Sequence, residues 1–125
     1  MKQLENFKNA LTTLDEFLSQ ESRSDKEKAG VIQAFEFTFE QAWKFLQKKA
    51  MAAGLEANSP RAALSQGVQL GAIRIEDEAA WIEMLKDRNM SSHLYQKSVA
   101  KEVFERVSAS HSKHLRRLAD WAKTA

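Results

Sequence analysis

From Asp25 to Ala53 the chain runs without a proline and with a single glycine, Gly30. Across that stretch Ile32, Phe35, Phe39, Ala42 and Leu46 fall on one seam at spacings of three and four, the period of an amphipathic helix. Val31, Phe37, Trp43 and Phe45 add apolar surface on other sides, so this helix needs more than one packing partner. The chain's own bundle is expected to cover one face and a second copy the other, which predicts a homodimer. The whole chain holds one proline and four glycines, too few for the many turns of an all-β fold. The expected class is all-α.

The remaining segments carry their own start and stop signals. Leu4, Phe7, Leu11, Leu14, Phe17 and Leu18 predict a first helix from Lys2 to about Gln20. The polar stretch Glu21 to Asp25 follows, with Ser24 or Asp25 as N-cap of the long second helix and Gly54 as its C-terminal stop. Ser59-Pro60-Arg61 places a capping serine before a proline at the first helical position, where its missing N–H costs nothing. That third helix should reach about Leu70 and close at Gly71. Asp77 is expected to cap a fourth, containing Trp81, Ile82, Met84 and Leu85 and ending at Arg88 or Asn89. From Lys97 onward Val99, Val103, Val107, Leu115, Leu118 and Trp121 predict one last long helix. Five helices with short connections make an up-and-down antiparallel bundle. With 125 residues the chain is one domain, 1–125, able to bury roughly two-thirds of its unfolded surface.

Charge and composition exclude several classes. Cysteine is absent, which removes disulfide scaffolds and thiolate metal sites and suits the expected cytoplasmic location. The N-terminus alternates charged and apolar residues with no signal-peptide pattern, and no segment approaches the roughly 20 apolar residues of a membrane span. Net charge is +2, too small to argue for nucleic-acid binding on its own, yet residues 97–125 carry seven Lys/Arg against three Asp/Glu. On charge alone that basic segment reads as a solvated helix face. His111 and His114 lie three apart, a spacing that can bind metal, but no Asp, Glu or Cys stands at a matching offset within their helix. They read as residues of a solvent face, and Trp43, Trp81 and Trp121 as core or interface rather than base-stacking platforms.

The stretch with chemical potential is Asp87-Arg88-Asn89-Met90-Ser91-Ser92-His93-Leu94-Tyr95, between the fourth and fifth helices. On a continuous helix Arg88 and His93 would point about 140° apart. Ser91 and Ser92 compete for backbone hydrogen bonds and are credible terminators, so a break there would let both side chains reach one pocket. A guanidinium grips a phosphate through two parallel hydrogen bonds, and an imidazole exchanges a proton near neutral pH. Together they suit attack of an RNA 2′-hydroxyl on its neighbouring phosphorus, with no metal or other cofactor required. The plainer alternative pairs Arg88 with Asp87 or Glu83 on the surface and leaves His93 a loop residue. Glu36 and Glu40 share one face of the second helix by their i, i+4 spacing; they either anchor Arg88 or make ordinary polar contacts with Lys44, and Glu40 is the candidate kept.

The run Gly30-Val31-Ile32-Gln33-Ala34-Phe35-Glu36-Phe37-Thr38-Phe39-Glu40-Gln41-Ala42-Trp43-Lys44, with Ser59-Pro60-Arg61, Trp81, Arg88-Asn89 and Ser92-His93-Leu94-Tyr95, resembles the HEPN superfamily. Within it the chain resembles the HepT branch, also called nucleotidyltransferase substrate-binding proteins. The resemblance implies a metal-independent endoribonuclease toxin that works as a homodimer beside a minimal nucleotidyltransferase antitoxin. On this resemblance Arg88 and His93 match the catalytic pair, Asn89 the polar residue that orients the arginine, and Tyr95 the tyrosine that the antitoxin modifies with AMP. The family usually has Thr before this tyrosine and acidic residues after it, where Leu94 and Gln96-Lys97 stand here. An alternative of a different class is a non-catalytic subunit that presents a substrate to a separate nucleotidyltransferase.

Overall fold

The computed structural model describes residues 2–20 and 24–124, and among them there is no strand. Six helical stretches follow in order: α1 (Lys2–Leu18), α2 (Asp25–Ala52), α3 (Pro60–Gln69), α4 (Glu78–Arg88), α5 (Lys97–Arg106) and α6 (Ser112–Thr124). A π turn over Val107–His111 joins the last two with helical backbone on both sides, so α5 and α6 form one rod. The bundle therefore has the five rods expected from the sequence, the last of them interrupted by a turn that the periodicity did not announce. Single 3₁₀ turns, Ile75–Asp77 and Ser91–His93, lead into α4 and away from it.

Local chemistry sets most of the boundaries. Ser24 caps α2 reciprocally: its hydroxyl accepts from the Glu27 amide at 3.1 Å while its own amide donates to Glu27 Oε1 at 2.9 Å. Residues 21–23 of the expected polar connection lie outside the described residues. At the other end of α2, Gly54 takes φ +80°, and the amides of Gly54 and Leu55 donate back to Met51 and Ala50. Gly71 repeats the arrangement after α3 with φ +81°, its amide and that of Ala72 donating to Val68 and Gly67. Both glycines occupy the left-handed position where a side chain would be strained, and both close their helix by paired bonds to otherwise orphaned carbonyls. Ser59 caps α3 through a 3.1 Å bond from the Ala62 amide, with Pro60 at the first position.

The start of α4 differs from expectation. Asp77 sits at the N-cap position but makes no capping bond. Its carboxylate is taken by arginines, accepting from Arg74 Nε at 2.9 Å and Arg117 Nη1 at 3.4 Å, charged donors that outcompete a neutral backbone amide. Burial pushes the Asp77 carboxyl up, but those two arginines and His114 outweigh it and the net direction is down.

Helix α2 is the axle of the bundle. Phe45 stacks on Phe7 of α1 with centroids 6.2 Å apart and meets Trp121 of α6 edge-on at 6.4 Å. Phe39 packs against Trp81 of α4 at 6.3 Å, and Phe35 stacks on His111 of the π turn at 5.0 Å. Val31 and Phe45, read from the sequence as surface for a second chain, are buried in the chain's own core at 1% and 0% exposure. A helix surrounded by its own neighbours must be apolar on several sides, which accounts for most of the surplus without a partner. Phe37 alone among those four stays open, at 59% exposure, while Trp43 is half-buried. Phe17, counted in the α1 stripe, is also exposed. Trp81 is buried and Trp121 partly so, as core residues.

Candidate active site at the end of α4

The last turn of α4 carries two adjacent charged residues that go separate ways. Trp81, Met84 and Asp87 are the buried residues of the helix, so Asp87 follows the apolar stripe inward. Its carboxylate accepts from Arg106 Nε and Nη2, at 2.8 Å each, and lies 2.6 Å from His111 Nε2. A carboxylate only accepts hydrogen bonds, so Nε2 carries the hydrogen. Burial raises the Asp87 carboxyl, but the bonds from His111 and Arg106 more than reverse this and hold it below the usual carboxylate range. Its neighbour Arg88 instead points toward α2. Arg88 Nη2 donates to Glu40 Oε2 at 2.7 Å and Nη1 to Asn89 Oδ1 at 3.2 Å.

Glu40 thus binds Arg88, and its other oxygen lies 3.8 Å from Lys44 Nζ. Of the two roles left open for Glu40, the structure shows both at once. Neither Asp87 nor Glu83 is the partner of Arg88, correcting the surface pairing expected if the motif were inert; Asp87 faces the core. Glu36, one turn before Glu40, is influenced by Arg88 as well. Burial lifts the Glu36 carboxyl above its ordinary value and the attraction of Arg88 only partly offsets this.

After Arg88 the chain leaves α4 through consecutive tight turns. The amide of Met90 donates to the Asp87 carbonyl at 3.1 Å, that of His93 to Met90 at 2.8 Å, and that of Gln96 to His93 at 3.1 Å. The expected break at Ser91-Ser92 is therefore a run of 3₁₀ geometry, stiffened by its own backbone bonds. His93 sits on it exposed, with no side-chain hydrogen bond to the described residues. Tyr95 is 79% exposed, and its hydroxyl accepts from Gln96 Nε2 at 3.3 Å. Arg88 is held one-third exposed at the C-terminal end of α4, just before that turn. The chain brings Arg88, Asn89, His93 and Tyr95 onto one connection and adds Glu40 from α2. Within one chain it makes no hydrogen bond between Arg88 and His93.

The reading of His111 and His114 as solvent-facing is overturned for His111 and holds only in part for His114. His111 is completely buried, locked between Asp87 and the Phe35 ring, and its Nδ1 is buried without a hydrogen-bond partner among the described residues. The π turn widens the helix at this point and places His111 inward. His114 is half-buried beside Arg74, Asp77 and Arg117 in a cleft with Trp81 and Trp121, and burial holds its imidazole below the ordinary value. Among the described residues no three His, Cys, Asp or Glu side chains are grouped so as to hold a metal ion. No helix there is long and apolar enough to cross a membrane.

Over residues 2–123 the chain matches the sequence profile of proteins described as nucleotidyltransferase substrate binding protein like. It belongs to that family. A protein from Thermus thermophilus, known from its crystal structure, shares the fold with a TM-score of 0.83 and 31% identity, over 90% of this chain and 94% of that one. No protein with a curated description matches at a significant level. In this nucleotidyltransferase substrate binding protein-like chain, sequence reasoning missed the Asp87–Arg106–His111 cluster. The signal was present: a carboxylate standing three residues beyond Met84 on the buried stripe that Trp81 begins requires a partner.

Proposed function

We propose that the chain is a HepT-like endoribonuclease of the HEPN superfamily, the toxin of a pair whose antitoxin is a nucleotidyltransferase. The single observation that carries this reading is Arg88, clamped by Glu40 and Asn89 at the C-terminal end of α4, followed within five residues by an exposed His93 on the 3₁₀ turn, its side chain making no hydrogen bond to the described residues. In the proposed reaction His93 takes the proton of a ribose 2′-hydroxyl, and the 2′-oxygen bonds to the adjacent phosphorus as the bond to the 5′-oxygen breaks. The products are a 2′,3′-cyclic phosphate and a 5′-hydroxyl, the leaving oxygen receiving a proton from the His93 of a second protomer. Arg88 stabilises the extra negative charge on the phosphorane. Exposed Phe37 offers apolar surface for the homodimer this scheme requires.

A second reading has its own support. Arg88 is already paired to a carboxylate, and a non-catalytic subunit presenting substrate to a nucleotidyltransferase would need no free guanidinium. The two readings part in one experiment. Incubating the protein with ATP and the proposed nucleotidyltransferase antitoxin is expected to add adenylate to Tyr95, detected by peptide mass spectrometry, and to stop cleavage of RNA by the protein. Tyr95→Phe should accept no adenylate and keep cleaving RNA in the presence of that enzyme. Complex formation without RNA cleavage by the unmodified protein would sink the nuclease in favour of the binding subunit.

A further inference from the structure

Beside the turn that carries His93 and Tyr95 lies a cleft of about 260 Å³, lined by Asp25, Lys28 and Ala29 of α2 and by Leu94, Lys97, Ala100 and Lys101. Three ammonium groups face one carboxylate there. The carboxylate neutralises little of that charge: Lys97 Nζ stands 4.0 Å from Asp25 Oδ2, with both side chains more than four-fifths exposed, a pair of little worth in water. Lys28 Nζ stands 5.6 Å from the centre of the Phe104 ring, a contact that holds the ammonium beside the cleft without neutralising its charge. Lys97 also stands in the first turn of α5, where a positive charge adds to the helix dipole instead of opposing it. Leu94, Ala29 and Ala100 supply the apolar part of the cleft's lining, and Leu94 is the residue between His93 and Tyr95.

From this we infer that the α2–α5 cleft is a phosphate-backbone subsite for single-stranded RNA, holding the strand on one side of the bond presented to His93. The inference rests on the nuclease reading above. It adds Lys28, Lys97 and Lys101 as binding residues that neither the motif nor the overall charge assigns. A lysine is a point charge on a flexible stem, suited to following a backbone without reading its bases. The basic excess of residues 97–125 thus begins at the start of α5, where α2 supplies a third lysine.

The test uses the full chain and a fluorescent RNA of about twelve nucleotides, 2′-O-methylated throughout so that it binds without being cut. Affinity is measured by anisotropy across a salt series. Each backbone phosphate neutralised on a single strand contributes about 0.7 to the slope of log affinity against log salt, so the Lys28→Gln/Lys97→Gln/Lys101→Gln variant should lose about 2 units of slope. Because Lys28 packs on Phe104, the exposed pair Lys97→Gln/Lys101→Gln serves as a second variant, with an expected loss of about 1.4 units. An unchanged slope in that pair, or no binding by the unsubstituted protein, overturns the subsite. Cleavage of unmodified RNA is followed in parallel. Lysine-dependent binding without cleavage would keep the subsite and remove the nuclease; cleavage with an unchanged slope would do the reverse.

Discussion

His93→Ala is expected to lower RNA cleavage by about 10²- to 10⁴-fold, the usual cost of losing a positioned proton-transfer group. The thermal unfolding midpoint should stay where it is, because the imidazole is exposed and makes no hydrogen bond to the described residues. That separation of activity from stability is the diagnostic outcome. Arg88→Ala should show a comparable loss in rate, with a small loss of stability as well, since it releases the 2.7 Å pair with Glu40. The pair is about one-third exposed, so its contribution to folding is screened by water. Equal cleavage by the unsubstituted protein and His93→Ala would remove His93 from the reaction and place the nuclease elsewhere or nowhere.

Asp87→Ala is expected to be the most damaging of the substitutions to the fold, at about 3 kcal/mol, measured by chemical denaturation. Removing one partner of a buried ion pair leaves the other uncompensated and typically costs about 3–5 kcal/mol; the low end applies because Arg106 is 35% exposed and reaches water. His111 has no such escape, being fully buried. The pH dependence follows from the same carboxyl. Its folded value is depressed below the unfolded one of about 3.9, so the stabilisation is complete above that range and is lost as pH falls through the folded value. Asp87→Asn should therefore lose less stability than the unsubstituted protein between neutral pH and strong acid. A cost below about 1 kcal/mol for Asp87→Ala would show that the cluster is not holding α4 to the last rod.

Elements whose ends are decided by chemistry within a few residues were legible from the sequence. Ser24, Gly54, Ser59-Pro60 and Gly71 all sit where their side chains or lack of one require, because each acts on a neighbouring amide or carbonyl. Legibility failed where a choice among distant partners decided the outcome. The apolar sides of α2 revealed how much surface had to be covered, but Val31 and Phe45 are covered by the chain itself, which periodicity cannot distinguish from a second copy. Asp77 had the residue type of a cap, but Arg74 and Arg117 compete for it. At the candidate site the residue types of Arg88, Asn89, His93 and Tyr95 were readable in order, and the i, i+4 carboxylates marked a face for the arginine. Their partner choice was not: which of Glu36, Glu40, Glu83 and Asp87 takes Arg88 depends on how α4 is rotated against α2. That rotation follows from Trp81 and Met84 seeking the core.

The π turn at Val107–His111 sets the angular phase of everything that follows. An ordinary helix advances about 100° with each residue, whereas a π turn accommodates one additional residue without that advance. Straightened to regular pitch, the same sequence would swing Leu115, Leu118 and Ala122 by roughly a quarter of a circle, out of the core they now fill. The widened turn therefore works as a clutch: it lets the front half of the rod present Lys97 and Lys101 outward while the rear half keeps its apolar ridge meshed with α1 and α2.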